Sequence, residues 1–538
     1  MLPKQLVMLV DKYLMSLESG GWKPPHVPPG QPPEDWLLKN SVVMGGLDVP
    51  IRLMEYDTVY SGGKGTGKTT ALIVQMISHL DALIASGRPF NMHCYTPKPD
   101  DFHPNLKARY ESTDISVRTT NPFIRDSWAW DGAAAMTCLP KMDELAAAVI
   151  KDDGREQNPF FKKTAQLLFR GVVQSLSFTH PGLWTMRHVV LILRDVELTR
   201  LVLARCPHTA PLLGLLSSEQ GTTAANIYAT NLTELKGLEL TASLIDSTPD
   251  DRRFTAAEAA NTPGVVWVWG SDPRYNTTIE PWNAVQLELI GHELLIRGNI
   301  GIDTLLYIDE FPQLSAGGAS KLPIIKKLLE YGRSSRVRTT LAVQTPSQVF
   351  ALHGKEDGET LLAQCHNAVV FGHKDGPGQE YWSRRFGKER GFETKRSSSR
   401  QVGGTGGTNP STNWSKSENV SRERFDLDRV TSSDIGDLPV GSYEFGMFGY
   451  ASLPLSRRLD PVTGFPQALK WRFHLDPDWI RRNVPRPGDF VSYAKSLKPE
   501  ESYVLAPFEP WERQFLRLAT PGSSRPAPKT PTNRRQSR

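Results

Sequence analysis

A chain of 538 residues with 39% hydrophobic and 22% charged residues excludes collagen-like and wholly disordered classes. Its length predicts roughly three or four domain-sized units. The formal charge is +5, but Arg513 to Arg538 holds seven Lys/Arg and no Asp/Glu, which leaves residues 1–512 at −2, so net charge selects no partner.

The N-terminus, MLPKQLVMLVDKYLMSLESGG, carries an apolar stripe interrupted by Lys4, Asp11 and Lys12, with no small-residue cleavage site. It reads as an amphipathic helix rather than a signal peptide. No stretch approaches the roughly 18–20 apolar residues of a membrane span, so the chain is expected to be soluble. Four cysteines (Cys94, Cys138, Cys206, Cys365), none in a CxxC pair, indicate neither a zinc site nor a disulfide framework and point to the reducing cytoplasm. Residues 23–35 hold six prolines in thirteen positions and read as an extended linker, so residues 1–40 form an N-terminal extension.

Ordered alternation starts near Ile51. Short β-branched or aromatic runs predict strands at Thr58–Tyr60, Val265–Trp269, Leu305–Ile308, Thr339–Val343 and Ala368–Phe371. Between the first two, Asn158-Pro159 supplies an N-cap and a first-turn proline. Phe161, Ala165, Leu168, Phe169, Val172 and Leu176 follow at helical spacing, and further helical patterns run from about Met186 to Cys206 and from Thr222 to Ile245. The expected architecture is an α/β domain in two parts, 41–155 and 251–475, interrupted by an all-α insert over 156–250. Residues 394–424, rich in Ser, Gly and Thr, are expected to form a mobile loop. Gly441 followed by Tyr443, Phe445 and Met447 reads as turn plus strand. Residues 476–538 are a C-terminal extension ending in a basic tail.

The strongest motif is Ser61-Gly62-Gly63-Lys64-Gly65-Thr66-Gly67-Lys68-Thr69-Thr70, a full GxxxxGK[ST] match between a short strand and the apolar helix series Leu72, Ile73, Met76, Ile77, Leu80. Small residues let consecutive N–H groups curl round a phosphate, and the helix N-terminus adds favourable partial charge. Lys68 would reach the β- and γ-phosphates of ATP, and the Thr69 hydroxyl would ligate Mg²⁺. Leu305-Leu306-Tyr307-Ile308-Asp309-Glu310 supplies the second acidic site, with Asp309 for Mg²⁺ and Glu310 to polarise the attacking water. Alone, such a pair reads as a helix N-cap; with the P-loop upstream it reads as Walker B. Farther on, Leu322–Tyr331 predicts an amphipathic helix stopped by Gly332, followed by Arg333, Arg336 and Arg338, and the next strand ends at Gln344. Spacing alone leaves each arginine open between a solvated surface residue and a finger for a neighbouring subunit's nucleotide.

LLYIDEFPQL, EYGRSSR, VQTPSQV, the LL-x-Q-C-x-N run of 361–367 and the VVFG of 369–372 resemble conjugative coupling proteins, the TraG/TraD-type ATPases of type IV secretion, kin to the FtsK/HerA translocases. NPFIRDSWAW (121–130), NPFFKKTAQLLFRGVV (158–173), the passage from Val265 to about Leu295 and DIGDLPVGSYEF extend the resemblance over roughly residues 45–450. It implies a RecA-like P-loop domain with an all-α insert, assembled as a homo-hexameric ring that draws DNA, single-stranded in transfer, through its pore. It assigns Lys68 and Thr69 to Walker A, Asp309 and Glu310 to Walker B, Gln344 to γ-phosphate sensing and Arg333 to trans action. A relaxase or other type IV secretion components are the implied partners. The sequence departs from the family at its start, which lacks transmembrane helices, so membrane contact would need a separate membrane partner. It departs again at Cys94-Tyr95-Thr96-Pro97-Lys98, where the family has an Asp before the Pro-Lys.

Within 384–400, seven Lys/Arg against two Glu mark this segment, or the tail, as a DNA contact or else a solvated charged loop. Nearby Tyr381, Trp382, Phe386 and Phe392 read as core more readily than as base-stacking platforms. The leading expectation is a DNA-stimulated ATPase motor. An ATP-dependent adaptor that recruits relaxase or protein cargo is the alternative, and a small-molecule kinase is disfavoured by the intact Glu310.

Overall fold

The computed structural model describes residues 40–98, 102–151, 159–217, 221–272, 274–316, 322–404, 412–442, 444, 446–454, 469–483 and 493–516. The N-terminal amphipathic segment, the proline-rich linker, the strand reading at Tyr443 and Phe445 and the basic tail beyond 516 lie outside these residues. Among the described residues, no helix is long and apolar enough to cross a membrane.

The first strands, β1 (Ser41–Met44) and β2 (Leu47–Pro50), form a hairpin before the expected start of order at Ile51. Val43 N–H ties it to the helix Lys68–Ala85 by donating to Ser78 Oγ (2.8 Å). There follow β3 (Thr58–Ser61), β4 (Phe90–Thr96) and β5 (Ser116–Thr119). The short β6 (Ala129–Trp130) and β7 (Arg253–Phe254) pair in parallel across the helical insert. The chain then forms β8 (Val265–Gly270), β9 (Asp303–Ile308), β10 (Val337–Val343) and β11 (Asn367–Phe371). The last four are β12 (Lys388–Gly404), β13 (Thr412–Asp428), β14 (Met447–Leu453) and β15 (Leu469–Leu475).

Nine of these strands make one sheet in the order β15-β14-β11-β3-β10-β9-β4-β8-β5. From β11 to β5 the pairings are parallel; β14 and β15 add an antiparallel edge. Parallel strands connected through helices are covered on both faces, and their sequences accordingly run apolar without alternation. Leu305, Tyr307, Val266, Val268, Met92 and Cys94 enter the core under the helix Lys68–Ala85 and the β1-β2 hairpin. Leu306, Ile308, Trp267, Trp269 and Tyr95 enter the core on the other face, which continues into the insert. Each fully buried aliphatic or Phe side chain stabilises this arrangement by about 1.5–3 kcal/mol before entropy is counted.

Between β6 and β7 the described residues contain helices and no strand. The helix Phe160–Thr179 buries Ala165, Leu168, Phe169, Val172 and Leu176, the stripe read from the sequence. The pattern from Met186 to Cys206 divides into Met186–Leu193 and Val196–Leu203, because the Asp195 carboxylate accepts from the N–H groups of Glu197 and Leu198 and starts a new helix. Such a cap contributes about 1 kcal/mol. Thr222–Asp246 completes the layer.

Part of the C-terminal extension docks on the insert. Lys498 Nζ donates to Leu244 O (2.6 Å), Ser247 Oγ (3.1 Å) and Thr248 Oγ1 (2.9 Å) at the C-terminal end of Thr222–Asp246, where the helix dipole favours a cation. Tyr493 OH donates to Asp272 Oδ2 (3.0 Å), beyond the end of β8. Glu512 pairs with Arg187 and lies 3.0 Å from His188 Nε2, while Arg187 Nε also donates to Asp246 (2.7 Å).

Residues 405–411, within the expected mobile loop over 394–424, lie outside the described residues, and strands flank them. Residues 388–404 and 412–428 pair without interruption as an antiparallel ribbon, from Lys388↔Asp428 to Gly404↔Thr412. The pairing rests on backbone hydrogen bonds, for which Ser and Thr side chains are no obstacle. Tyr381, Trp382 and Phe386, at the end of the preceding helix Gly376–Phe386, are buried core residues as expected.

Candidate active site

The P-loop joins the central strand β3 to the helix Lys68–Ala85. Its first turn is sewn to both neighbouring strands: Gly62 N–H donates to Val343 O of β10 (3.2 Å), and Gly63 N–H donates to Gly372 O just past β11 (2.9 Å). Below it, Trp382 Nε1 donates to Ser61 Oγ (2.9 Å). Gly67 precedes the helix with φ 96°, a left-handed conformation that favours glycine, and a Cβ there would collide with Met447. Lys64 and Gly65 are exposed at the turn, and Thr66 Oγ1 closes it by donating to Gly63 O (2.8 Å).

Four of the predicted residues meet. Lys68 Nζ lies 2.9 Å from Glu310 Oε1, and Thr69 Oγ1 donates to Asp309 Oδ2 (3.0 Å). Thr70, the next residue, is half-buried in the same helix. Both carboxylates reach one side because Glu310 adopts φ 50°, a turn that costs a non-glycine residue on the order of 1–2 kcal/mol. Asp309 N–H donates to Tyr95 O (2.9 Å), fixing the end of β9 against β4, and Asp309 Oδ1 accepts from Glu310 N–H (3.0 Å). Asp309 is fully buried, and its pKa is raised: burial dominates, the Lys68 charge opposes it and Glu310 reinforces it. A cation at this carboxylate would favour its charged form.

A hydroxyl and a carboxylate within hydrogen-bond distance form a hard oxygen donor pair. They suit a divalent ion such as Mg²⁺, which binds through one or two carboxylates plus phosphate oxygens. The buried Lys68 amine and the glycine cradle suit phosphate. The residues present therefore fit a nucleotide with its metal.

Gln344 directly follows β10, beside the strand end that accepts from Gly62, and is half-buried at the same edge of the sheet. Arg333 stands elsewhere. It precedes β10, whose seven residues span about 23 Å at ~3.3 Å each, and so lies at the opposite end of the sheet from its own P-loop. Its guanidinium is 60% exposed, 3.6 Å from Glu55 and 4.9 Å from the Tyr56 ring centre. The other two arginines are committed: Arg336 binds Asp303 through two bonds (2.9 and 3.0 Å), and Arg338 donates to the carbonyls of Val337 and Arg333.

Some neighbours of the site were not legible in the sequence. Tyr95 OH donates to buried Glu280 (2.6 Å), which reaches back from the helix Asn276–Ile296 behind the acidic pair. His373 is buried beside Gly63, and burial lowers its pKa. Val440, Gly441 and Met447 pack around the P-loop, and a Cβ on Gly441 would stand 2.7 Å from Thr66 O. The sequence showed Gly441 and Met447 as turn plus strand but not their place against the P-loop. Contacts spanning several hundred residues leave no local pattern.

A central parallel sheet carrying a glycine-rich loop at one strand end and an acidic pair at a nearby one defines a RecA-like P-loop protein. Residues 41–444 match the family model for the type IV secretion-system coupling protein DNA-binding domain, and the chain belongs to that family. Three solved structures of the conjugative coupling protein TrwB show the same fold. The unbound TrwBΔN70 form and the complex with the ATP analogue ADPNP are each 15% identical with TM-scores of 0.59. The complex with ADP and Mg²⁺ is 16% identical with a TM-score of 0.58. Each alignment covers 81% of this chain and 89% of the solved TrwB chain. A search of curated proteins found no match.

Proposed function

We propose that this chain is an ATP-hydrolysing coupling motor that moves DNA, or a nucleoprotein substrate, through a homo-hexameric ring, with a relaxase and other secretion components as partners. The observation that carries this reading is the convergence of Lys68 and Thr69 with Glu310 and Asp309 at 2.9 and 3.0 Å. ATP with Mg²⁺, when bound, supplies the transferable phosphoryl group and the charge that balances it. Lys68 would give up its ion pair with Glu310 for phosphate oxygens, and Glu310 so released would orient and polarise a water. Thr69 and Asp309 would hold the metal, and Gln344 is the residue assigned to sensing the terminal phosphate. Arg333 is too distant to serve its own site, so its role is in trans. Its partner Glu55 is itself 54% exposed, and a pair this exposed is worth about 0–1 kcal/mol, so it can be relinquished at small cost. A separate membrane protein would recruit the chain to the secretion channel.

The test is ATP turnover with and without DNA at protein concentrations that permit rings. A motor shows several-fold stimulation, loss of turnover on chelating Mg²⁺, and no turnover in Lys68→Ala. Hydrolysis at one unchanged rate in the presence and absence of DNA would overturn the motor and leave the ATP-dependent cargo adaptor.

A further inference from the structure

Three large apolar side chains face water at the end of the sheet that carries Arg333. β9 and β10 run parallel, so the residues that precede them share the end opposite the P-loop. The helices Asn276–Ile296 and Pro323–Tyr331 pack closely, since a Cβ on Gly291 would collide with Ile324, and they finish together at this end. Just past the first, Arg297 Nη2 donates to Thr304 Oγ1 (2.6 Å) and Ile302 O (3.3 Å) at the start of β9. It also reaches Ser335 O (3.5 Å) in the turn Gly332–Ser335 that follows the second. One guanidinium therefore gathers the helix end at Ile296, the approach to β9 at Ile300 and the turn after Tyr331. Ile296, Ile300 and Tyr331 are 72, 48 and 63% exposed. Single exposed apolar residues are ordinary, but three gathered round one arginine mark an interaction surface.

We infer that Ile296, Ile300 and Tyr331 form the surface that docks on the P-loop edge of a second copy of this chain. Two observations choose this occupant. Arg333, two residues from Tyr331, lies a strand's length from its own P-loop and so completes a nucleotide site only on another subunit. The opposite edge of the sheet also carries the complement. Val440, 70% exposed, stands against Gly65 of the P-loop, with exposed Pro439 before it. Residues 430–442 there include the exposed Asp434 and Asp437 and no Lys or Arg, although Lys64 of the loop is exposed nearby. The apolar edge is bordered by exposed Arg52, Arg88 and Arg333 against Glu55 and Glu330. Apolar side chains thus meet apolar ones within a rim of opposite charge, as a specific interface requires. Joining unlike edges makes a heterologous contact, which generates a ring when the rotation between copies closes. The inference rests on the trans reading of Arg333 and adds the surface that brings the arginine to its site.

The experiment uses the full chain carrying Ile296→Ser, Ile300→Ser and Tyr331→Ser, with sedimentation in a non-hydrolysable ATP analogue and ATP turnover per subunit, both read against protein concentration. The midpoints of assembly and of turnover should each move to at least about tenfold higher concentration, while turnover still climbs to the wild-type plateau. Arg333→Ala, in contrast, removes the plateau and leaves the assembly midpoint in place. Val504→Ser, an equally exposed apolar position on the C-terminal extension, changes neither. Unchanged melting curves report folding, and the three single variants, each shifting the midpoints in the same direction, carry the test if the triple variant unfolds. If the wild type assembles and the variants assemble at the same concentration, the patch serves another occupant and the inference is overturned while the trans reading survives. A Val504→Ser shift as large as that of the triple variant would overturn it too. If the wild type stays monomeric and its turnover per subunit is independent of concentration, the shared nucleotide site itself is wrong.

Discussion

Asp57 is a buried carboxylate at the foot of β3, and replacing it with asparagine should flatten the stability of the protein against pH. Burial raises its pKa from 3.8 to about 7, opposed by the Thr339 N–H that it accepts (2.7 Å) and by the charges of Arg338 and Arg333. Because the folded pKa lies above the unfolded one, the native state holds the proton longer. The stability linked to this group is complete below about pH 4 and is lost as pH rises toward 7. Integrating between pH 5 and 8 gives a loss of about 2–3 kcal/mol, or about 2–3 °C in melting temperature for a chain of this size. The substituted amide would keep an oxygen for the Thr339 N–H and has no charge to bury. Asp57→Asn should therefore match the wild type near pH 5 and exceed it by that margin at pH 8. Melting curves in matched buffers across this range measure the difference directly. Parallel profiles, separated by less than about 0.5 kcal/mol throughout, would show that Asp57 does not titrate in this range and refute the reasoning.

Glu310→Gln should retain nucleotide binding, since the P-loop and Thr69–Asp309 are untouched, but lower turnover by about 100-fold or more; nucleotide affinity and steady-state hydrolysis separate the two effects. Glu512→Gln removes the charge opposite buried Arg187 and should cost about 3–5 kcal/mol. Hydrogen exchange should then rise over residues 493–516. Burial raises the Glu512 pKa, but hydrogen bonds from His188 and the Glu509 N–H, together with the Arg187 charge, bring it down to about 2. In the wild type, this anchor is therefore lost only as pH falls from 4.5 toward 2. Arg333→Ala and Lys68→Ala proteins, each inactive alone, should regain partial turnover when mixed; a mixture no more active than its parts would exclude an arginine shared between subunits.

The P-loop and acidic pair were legible because their chemistry demands particular residues at fixed spacing: Gly62 to Thr69, and an apolar strand running into Asp309 and Glu310. The helix of Phe160–Thr179 was legible because its stripe repeats within one element. The ribbon was not, since strand pairing uses backbone groups, and residues such as Ser397–Ser399 carry no amphipathic signal. Spacing also could not rank Arg333, Arg336 and Arg338. Asp303, 33 residues from Arg336, engages it through two bonds and leaves Arg333 exposed beside Glu55 and the Tyr56 ring.

The path from ribbon to P-loop is short. Arg429 N–H donates to Gly387 O (3.0 Å) and closes the ribbon root, Thr431 caps the helix Ser432–Gly436, and Lys374 Nζ holds Gly436 O (2.5 Å). Leu438 O then stands 2.9 Å from where a Cβ on Gly372 would lie, and Gly372 O accepts from Gly63. Gly441 abuts Thr66, and Met447 abuts Gly67. The loop is thus held on its outer side by the segment that leaves the ribbon. A close-packed interior does not deform continuously, so a rearrangement of the P-loop must be matched by that segment. On the proposed function, DNA engaged elsewhere on the chain and a nucleotide in the P-loop couple through such packed elements. Their coupling is reciprocal: the factor by which a non-hydrolysable nucleotide changes oligonucleotide affinity must equal the factor by which oligonucleotide changes affinity for that nucleotide.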